Sequence, residues 1–254
     1  ITSFFSDVAG FTAISEAVSP EELVNFLNEY LSEMTEIILE SGGTLDKYEG
    51  DAIIAFWNAP LDQPDHALRA CRAALRCQAR LTELGPRFRE KAGRPVTMRI
   101  GLNSGPAVVG NMGSSRRFDY TVIGDTINLA SRLEGASKLY RVPILAGEET
   151  YRQAQDALLA REVDTIRVVG KIRPVNVYEI VCEKGEASAE EASKLRVFAA
   201  AREAYKSRAW DKALELFGRI QADPLSGLYL ARLQSLRENP PPEDWDGVFI
   251  LTEK

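Results

Sequence analysis

The sequence has little of the histidine and cysteine on which many metal and redox sites are built. It contains one histidine, His66, and three cysteines, Cys71, Cys77 and Cys182. The cysteines are odd in number and show no CxxC spacing, so neither a disulfide framework nor a zinc site is predicted, and a reducing compartment fits best. A single histidine leaves a Ser-His-Asp triad possible, but no GxSxG motif accompanies it.

Long hydrophobic runs and an excess of positive charge are also absent. No apolar run approaches the ~20 residues that span a bilayer. The net charge of −6 disfavours nucleic acid as a partner, and a composition of 45% hydrophobic and 27% charged residues is that of a globular protein. The sequence begins at Ile1, inside residues that predict a strand. We therefore expect a piece of a longer protein, in which a signal peptide or membrane anchor can lie upstream.

Hydrophobic periodicity predicts helices that alternate with strands and hairpins. An alternating, aromatic-rich start predicts a strand over residues 1–8. Ser19, Pro20 and Glu22 predict the capped start of a helix that ends at Gly42. Further strands are predicted at 44–48, 52–57, 96–103, 107–110, 143–145, 165–169 and 175–181, and further helices from 64 to about 91 and after Asp125 as the N-cap. The order is β-α-β-β-α-β with additions, so we expect an α+β fold with a ferredoxin-like core.

The last quarter of the chain differs from the rest. We expect a catalytic domain over 1–183, a polar linker over 184–194 and a helical tail over 195–254. The spacing of small and aromatic residues in the tail resembles one tetratricopeptide helix pair, which cannot bury its own apolar face. The tail is therefore expected to pack on the main domain or on a partner chain.

Three segments carry the candidate chemistry: 4–12 (FFSDVAGFT), 46–52 (DKYEGDA) and 120–132 (YTVIGDTINLASR). Asp7 ends an apolar strand and Asp51 lies at a hairpin tip. A carboxylate beside a sheet core is costly unless it is paired or binds a metal ion, and two of them on neighbouring strands can hold Mg²⁺ or Mn²⁺. The alternative is that Asp7 caps a helix and Asp51 is a turn residue, which each short motif alone would favour.

Together, in this order and spacing, the segments resemble the catalytic domain of class III nucleotidyl cyclases over about 1–182. The resemblance implies that Asp7 and Asp51, with the Val8 carbonyl, bind two Mg²⁺ or Mn²⁺ ions per active site. Gly10, which has no side chain, would let phosphates approach the backbone after the first strand.

The resemblance also assigns residues to the nucleotide. Lys47 and Thr121 match the pair that reads the purine base, and the Lys/Thr combination resembles a bicarbonate-responsive subgroup that uses ATP. Asn128 and Arg132 lie four residues apart, on one face of a helix. They match the residues that orient the ribose and stabilise the transition state.

Two further positions concern the polyphosphate. Arg99 matches an arginine that contacts it from the metal-bearing side. The family lysine for the γ-phosphate aligns poorly, because Val175 stands where some members carry it. Lys171 is our candidate, and Arg173 is the second choice.

The expected function is that of an adenylyl cyclase, which forms cyclic AMP and pyrophosphate from ATP. Because the family divides its site between protomers, a head-to-tail homodimer with shared sites is implied. The Pro-rich end at 239–248 resembles bacterial membrane-anchored cyclases, so we expect the cytosolic output domain of a receptor. The alternatives are a guanylyl cyclase, a diguanylate cyclase, whose GG(D/E)EF signature is missing, and an inactive regulatory module.

Overall fold

The computed structural model describes residues 1–167 and 174–250. Helices and strands alternate as the sequence predicts. In chain order the elements are β1 (Thr2–Val8), α1 (Phe11–Ala17), α2 (Pro20–Glu40), β2 (Thr44–Glu49), β3 (Ala52–Trp57), α3 (His66–Glu83), α4 (Gly85–Ala92), β4 (Met98–Ser104), β5 (Val108–Ser114), β6 (Arg117–Ile123), α5 (Asp125–Tyr140), β7 (Ile144–Gly147), α6 (Glu148–Ala154), β8 (Leu158–Arg167), β9 (Val175–Glu183), α7 (Ala189–Lys206), α8 (Trp210–Arg219), α9 (Pro224–Glu238) and β10 (Phe249–Ile250).

One mixed sheet organises these elements. Its strand order is β10-β8-β9-β7-β4-β1-β3-β2, and β5 and β6 form a separate antiparallel pair. Within the β4-β1-β3-β2 half of the sheet each strand is antiparallel to the next, whereas β4 pairs with β7 in parallel. The predicted α+β class is confirmed, with β1 at the centre of the half of the sheet that carries the candidate site.

The two faces of this half-sheet are separated by the two-residue period of its strands. Phe4 and Val8 of β1 and Ile100 of β4 belong to the core beneath α2 and α3. Asp7 and Arg99 occupy the alternate positions and are directly paired in the β1–β4 register. They therefore lie on the opposite face, against which α5 packs.

The start of α2 confirms the predicted capping box. The Ser19 hydroxyl accepts a hydrogen bond from the Glu22 backbone N–H, and the Glu22 carboxylate accepts one from the Ser19 N–H at 2.9 Å. Pro20 occupies the first turn, where its missing N–H is no loss.

Two predicted helix boundaries are wrong. The single helix expected from 64 to about 91 is two helices, α3 and α4, because Pro86 in the first turn of α4 cannot continue the hydrogen-bond ladder of α3. Asp125 is not the N-cap of α5: Gly124 holds that position, and Asp125 is the first helical residue. A carboxylate there still interacts favourably with the helix dipole.

The tail packs on the main domain. Phe198, Phe217 and Tyr229 share one buried cluster with Leu133 of α5 and Val163 of β8. The expected linker 184–194 is partly helical, because the Ser188 side chain accepts a hydrogen bond from the Glu191 N–H and α7 begins at Ala189. No helix within residues 1–167 and 174–250 is long and apolar enough to cross a membrane.

Candidate active site

Asp7 and Asp51 are brought together by the antiparallel pairing of β1 with β3, in which Ser6 lies opposite Ile53. Asp51 directly precedes β3 at the tip of the β2–β3 hairpin. Its Oδ2 accepts a hydrogen bond of 2.8 Å from the Val8 backbone N–H, and the residue is almost fully buried. The neighbouring strands that the sequence argument required are therefore present.

The environment of Asp7 is strongly acidic. Burial, a side-chain hydrogen bond with Asp51 and the charges of Asp51 and Glu134 raise the pKa of Asp7 to about 7, against the opposing effect of Arg99. The Arg99 guanidinium forms an ion pair with Asp7 and donates from Nε to Glu134 at 2.7 Å. Arg99 thus pairs with two carboxylates, and Asp51 adds a third beside Asp7, so that negative charge is left uncompensated in these contacts.

This donor set fits hard divalent cations. Carboxylate and carbonyl oxygens are the ligands that Mg²⁺ and Mn²⁺ prefer. The raised pKa of Asp7 reflects first its burial and then repulsion by Asp51 and Glu134, and a bound cation would relieve that repulsion. In the described part of the chain no group of three or more His, Cys, Asp and Glu side chains is arranged to hold a metal ion. Asp7 and Asp51 are the two carboxylates that would hold such a cation here.

The loop after β1 leaves backbone exposed beside these carboxylates. Gly10 adopts φ 73° and ψ 30°, a left-handed conformation that glycine tolerates without strain. Among the residues that the structure describes, no side chain caps the start of α1. α1 begins at Phe11, three residues after β1 ends, and the approach of phosphate near Gly10 stays a prediction.

One face of α5 packs against the sheet, and the opposite face does not. Ala130 and Glu134 face the sheet so closely that a Cβ on Gly101 of β4 would overlap their backbone atoms. At 100° per residue, Asn128 and Arg132 project from the opposite side of the helix. Asn128 is exposed and Arg132 half-buried. These two residues share a face, as predicted, but they point away from the Asp7 and Asp51 of their own chain.

Lys47 reaches its face of the sheet through a β-bulge. Leu45 and Lys47 occupy successive register positions opposite Ala55 and Ile54, with Asp46 as the extra residue. Without the bulge Lys47 would lie on the same face as Leu45, which packs against the core. The bulge instead places Lys47 with Ile54, on the face opposite to that of Leu45. Sequence reasoning missed both the bulge and Asp46.

Thr121 lies on β6, in the hairpin that contacts β2. The hairpin also packs on β3, because the rings of Tyr120 and Phe56 are 6.2 Å apart. Thr121 is half-buried, so the two predicted base-reading residues come from neighbouring elements. Lys171 and Arg173 lie outside the described residues. Glu134, which binds Arg99, was also missed.

Known proteins share this domain. Residues 1–181 match the model of the adenylate and guanylate cyclase catalytic domain. "Adenylate cyclase 1" of Rhizobium meliloti (strain 1021) is 38% identical over 181 residues, which are 71% of this chain and 27% of that protein. The terminal-differentiation specific adenylate cyclase of Dictyostelium discoideum is 33% identical over 226 residues, which are 85% of this chain and 10% of that protein.

Solved structures agree with this. The adenylyl cyclase CyaB from P. aeruginosa superposes with a TM-score of 0.68 at 37% identity, covering 74% of this chain and 96% of that one. The guanylyl cyclase Cya2 superposes with a TM-score of 0.66 at 34% identity, covering 74% of this chain and 94% of that one. The chain belongs to the adenylate and guanylate cyclase catalytic domain family. It spans only about a quarter to a third of the first two curated relatives, at 27% and 36% of their lengths.

Proposed function

We propose that this domain is an adenylyl cyclase that converts ATP to 3′,5′-cyclic AMP and pyrophosphate in signal transduction. The observation that carries the proposal is that the pairing of β1 with β3 brings the carboxylates of Asp7 and Asp51 into contact. Several relatives at 33–38% identity are named adenylate cyclases. A guanylyl cyclase of similar identity is also among the structural neighbours, so the substrate is argued from the base-reading residues.

Lys47 and Thr121 favour adenine by hydrogen-bond complementarity. A lysine ammonium has only donors, which suits the N1 acceptor of adenine, and a threonine hydroxyl can accept from the N6 amine. Guanine presents the opposite pattern, an N1–H donor and an O6 acceptor. The Thr121 hydroxyl can also donate to O6, so the discrimination rests on Lys47, whose ammonium cannot pair with the N1–H donor of guanine.

The reaction is an in-line attack of the ribose 3′-oxygen on the α-phosphorus, with pyrophosphate leaving. Divalent cations held by Asp7, Asp51 and the Val8 carbonyl would supply acidity to the 3′-hydroxyl and neutralise the polyphosphate. Asn128 orients the ribose, and Arg132 donates to the charge that develops on the α-phosphate. Arg99, fixed between two carboxylates, contacts the polyphosphate, and Lys171 is proposed for the γ-phosphate.

The outward direction of Asn128 and Arg132 supports a head-to-tail homodimer with two shared sites. The β5–β6 hairpin exposes large apolar side chains that a partner would cover: Val108, Phe118, Tyr120 and Ile123. Exposed apolar clusters of this kind mark interaction sites. In this arrangement each site takes Asp7, Asp51 and Arg99 from one protomer and Asn128 and Arg132 from its partner.

Mixing two inactive variants tests the shared site. Asp51→Ala and Arg132→Ala are each expected to lose activity, the latter by about 10²–10³-fold. Mixed in equal amounts, they should recover about a quarter of wild-type activity, since half the dimers would carry one intact site. The control is each variant mixed with itself. Mixtures no more active than their components would refute the shared site.

Finer assignments follow from the resemblance and from topology. The β4-β1-β3-β2 order supports a ferredoxin-like core. The packed α7–α8 pair supports the tetratricopeptide-like description of the tail.

We further propose that the domain belongs to the bicarbonate-responsive subgroup, for which activity should rise with bicarbonate at fixed pH. We also propose that it is the cytosolic domain of a receptor. A flat bicarbonate titration would exclude that subgroup.

The first experiment is an assay of the purified protein with ATP or GTP, in Mg²⁺ and in Mn²⁺, over a dilution series. Cyclic AMP from ATP, with specific activity falling on dilution, is the expected result, because a dissociated protomer lacks a complete site. Formation of cyclic GMP instead would show that Lys47 and Thr121 do not select adenine. No product at any concentration would favour the inactive regulatory module.

A further inference from the structure

Asp46 is a buried carboxylate at the mouth of the candidate base site. Its side chain is 4% exposed, whereas that of the adjacent Lys47 is 46% exposed. Asp46 Oδ2 lies 3.8 Å from Lys47 Nζ. Asp46 Oδ1 is buried and has no hydrogen-bond partner among the described residues. A carboxylate so placed is costly, so its position calls for a physical reason.

The bulge explains how these two side chains meet. Consecutive residues of a regular strand point to opposite faces and do not pair. Asp46 is the extra residue of the bulge in β2, which changes the direction of its side chain relative to Lys47. The following residue, Tyr48, is tied to α2 by a hydrogen bond of 2.8 Å between its hydroxyl and that of Thr35. The segment is therefore held on both sides of Lys47.

We propose that Asp46 is a positioning residue for Lys47. Its carboxylate restrains the lysine ammonium, so that Nζ is directed to the N1 acceptor of the purine and meets the N1–H of guanine unfavourably. A free lysine side chain has several rotamers, and restraining it lowers the entropy lost on binding. This inference rests on the proposed adenylyl cyclase function and assigns to that site a specificity determinant that does not itself touch the substrate.

The Asp46→Asn variant tests the proposal. Asparagine has nearly the same shape but no charge, so the ion pair is lost while the packing is kept. We expect the KM for ATP to rise about fivefold, as for loss of a partly exposed ion pair, and the preference for ATP over GTP to fall by a similar factor. The value of kcat should stay within about twofold, because the reacting groups are untouched. Glu36→Gln, an exposed acid on the nearby α2, is the matched control.

A double-mutant cycle with Lys47→Met separates positioning from other roles. If Asp46 acts through Lys47, then Asp46→Asn should change neither KM nor nucleotide preference in the Lys47→Met background. Equal effects in both backgrounds would overturn the proposal. A shift of the thermal midpoint alone, with KM and preference unchanged, would show a merely structural residue and also overturn it. A wild-type chain that makes no cyclic AMP would refute the proposed function, and with it this inference.

Discussion

Two clusters of charged side chains in this chain differ in their balance of charge. At the candidate site, Arg99 pairs with Asp7 and Glu134 while Asp51 lies against Asp7, so carboxylates outnumber cations in these contacts. At the junction of β8 with the tail, Asp164 is fully buried. Its Oδ2 accepts hydrogen bonds from the Tyr140 hydroxyl at 2.9 Å and from Arg232 at 2.6 Å, and Arg202 lies 3.4 Å from Oδ1.

The balance of charge separates the roles of the clusters. The two carboxylates of β8, Asp164 and Glu162, pair with three cations of α7 and α9 among the described residues: Arg202, Lys206 and Arg232. A buried carboxylate that is fully paired needs no further ligand, whereas the surplus at Asp7 remains to be neutralised. The comparison predicts that substitutions in the site cluster lower activity and that substitutions in the tail cluster lower stability.

The largest effect is expected from Asp7→Asn. Loss of one cation-binding carboxylate should lower the turnover of ATP about a thousandfold or more. The thermal midpoint should be unchanged or higher, because the raised pKa of Asp7 shows that its ionised form is disfavoured in the folded protein. Cyclic AMP assays and thermal unfolding by circular dichroism measure the two quantities. A large loss of stability would contradict the assignment.

A smaller effect, on stability and not on turnover, is expected from Arg232→Met. The substitution removes one partner of Asp164, and breaking such a buried pair costs about 3 kcal/mol of unfolding free energy. The kcat of the folded fraction should change little. Urea unfolding, paired with activity measured well below the transition, gives both values. Reduced activity with unchanged stability would place the tail cluster in the catalytic machinery.

The smallest effect is expected from Arg72→Ala. Arg72 forms a two-pronged ion pair with Glu183, at 2.5 and 3.2 Å, and both side chains are substantially exposed. Such pairs contribute less than about 1 kcal/mol and are screened by salt. Urea unfolding at low and high ionic strength should show a small loss that disappears in salt. A loss comparable with that of Arg232→Met would mean that charge balance and burial do not separate these clusters.

Local sequence signals predicted the parts of the fold that depend on few residues. Ser19 and Glu22 define the start of α2 because a capping box is a contact between near neighbours. The order of the motifs predicted that Asp7 and Asp51 lie close together, and the pairing of β1 with β3 brings them together. Pro86 indicates the break between α3 and α4, but the alanine-rich sequence around it favoured one continuous helix.

Other features had no local signal. The bulge at Asp46 depends on the register of β2 against β3, which is a property of two strands and not of one. The role of Glu134 depends on the face of α5 that packs against the sheet. Helical periodicity showed that Asn128 and Arg132 share a side, but only the packing shows that this side is turned outward.

Gly101 restricts which sequences can keep this arrangement. The backbones of β4 and α5 touch at this position, so any larger residue would push the helix from the sheet. That displacement would pull Glu134 from Arg99 and tilt the opposite face of the helix together with it. A chain that retains the two aspartates but has a side chain at this position would therefore be expected to present its arginine and asparagine in a different direction. This glycine is thus a sequence marker for the geometry of the site, although it has no side chain with which to take part in the chemistry.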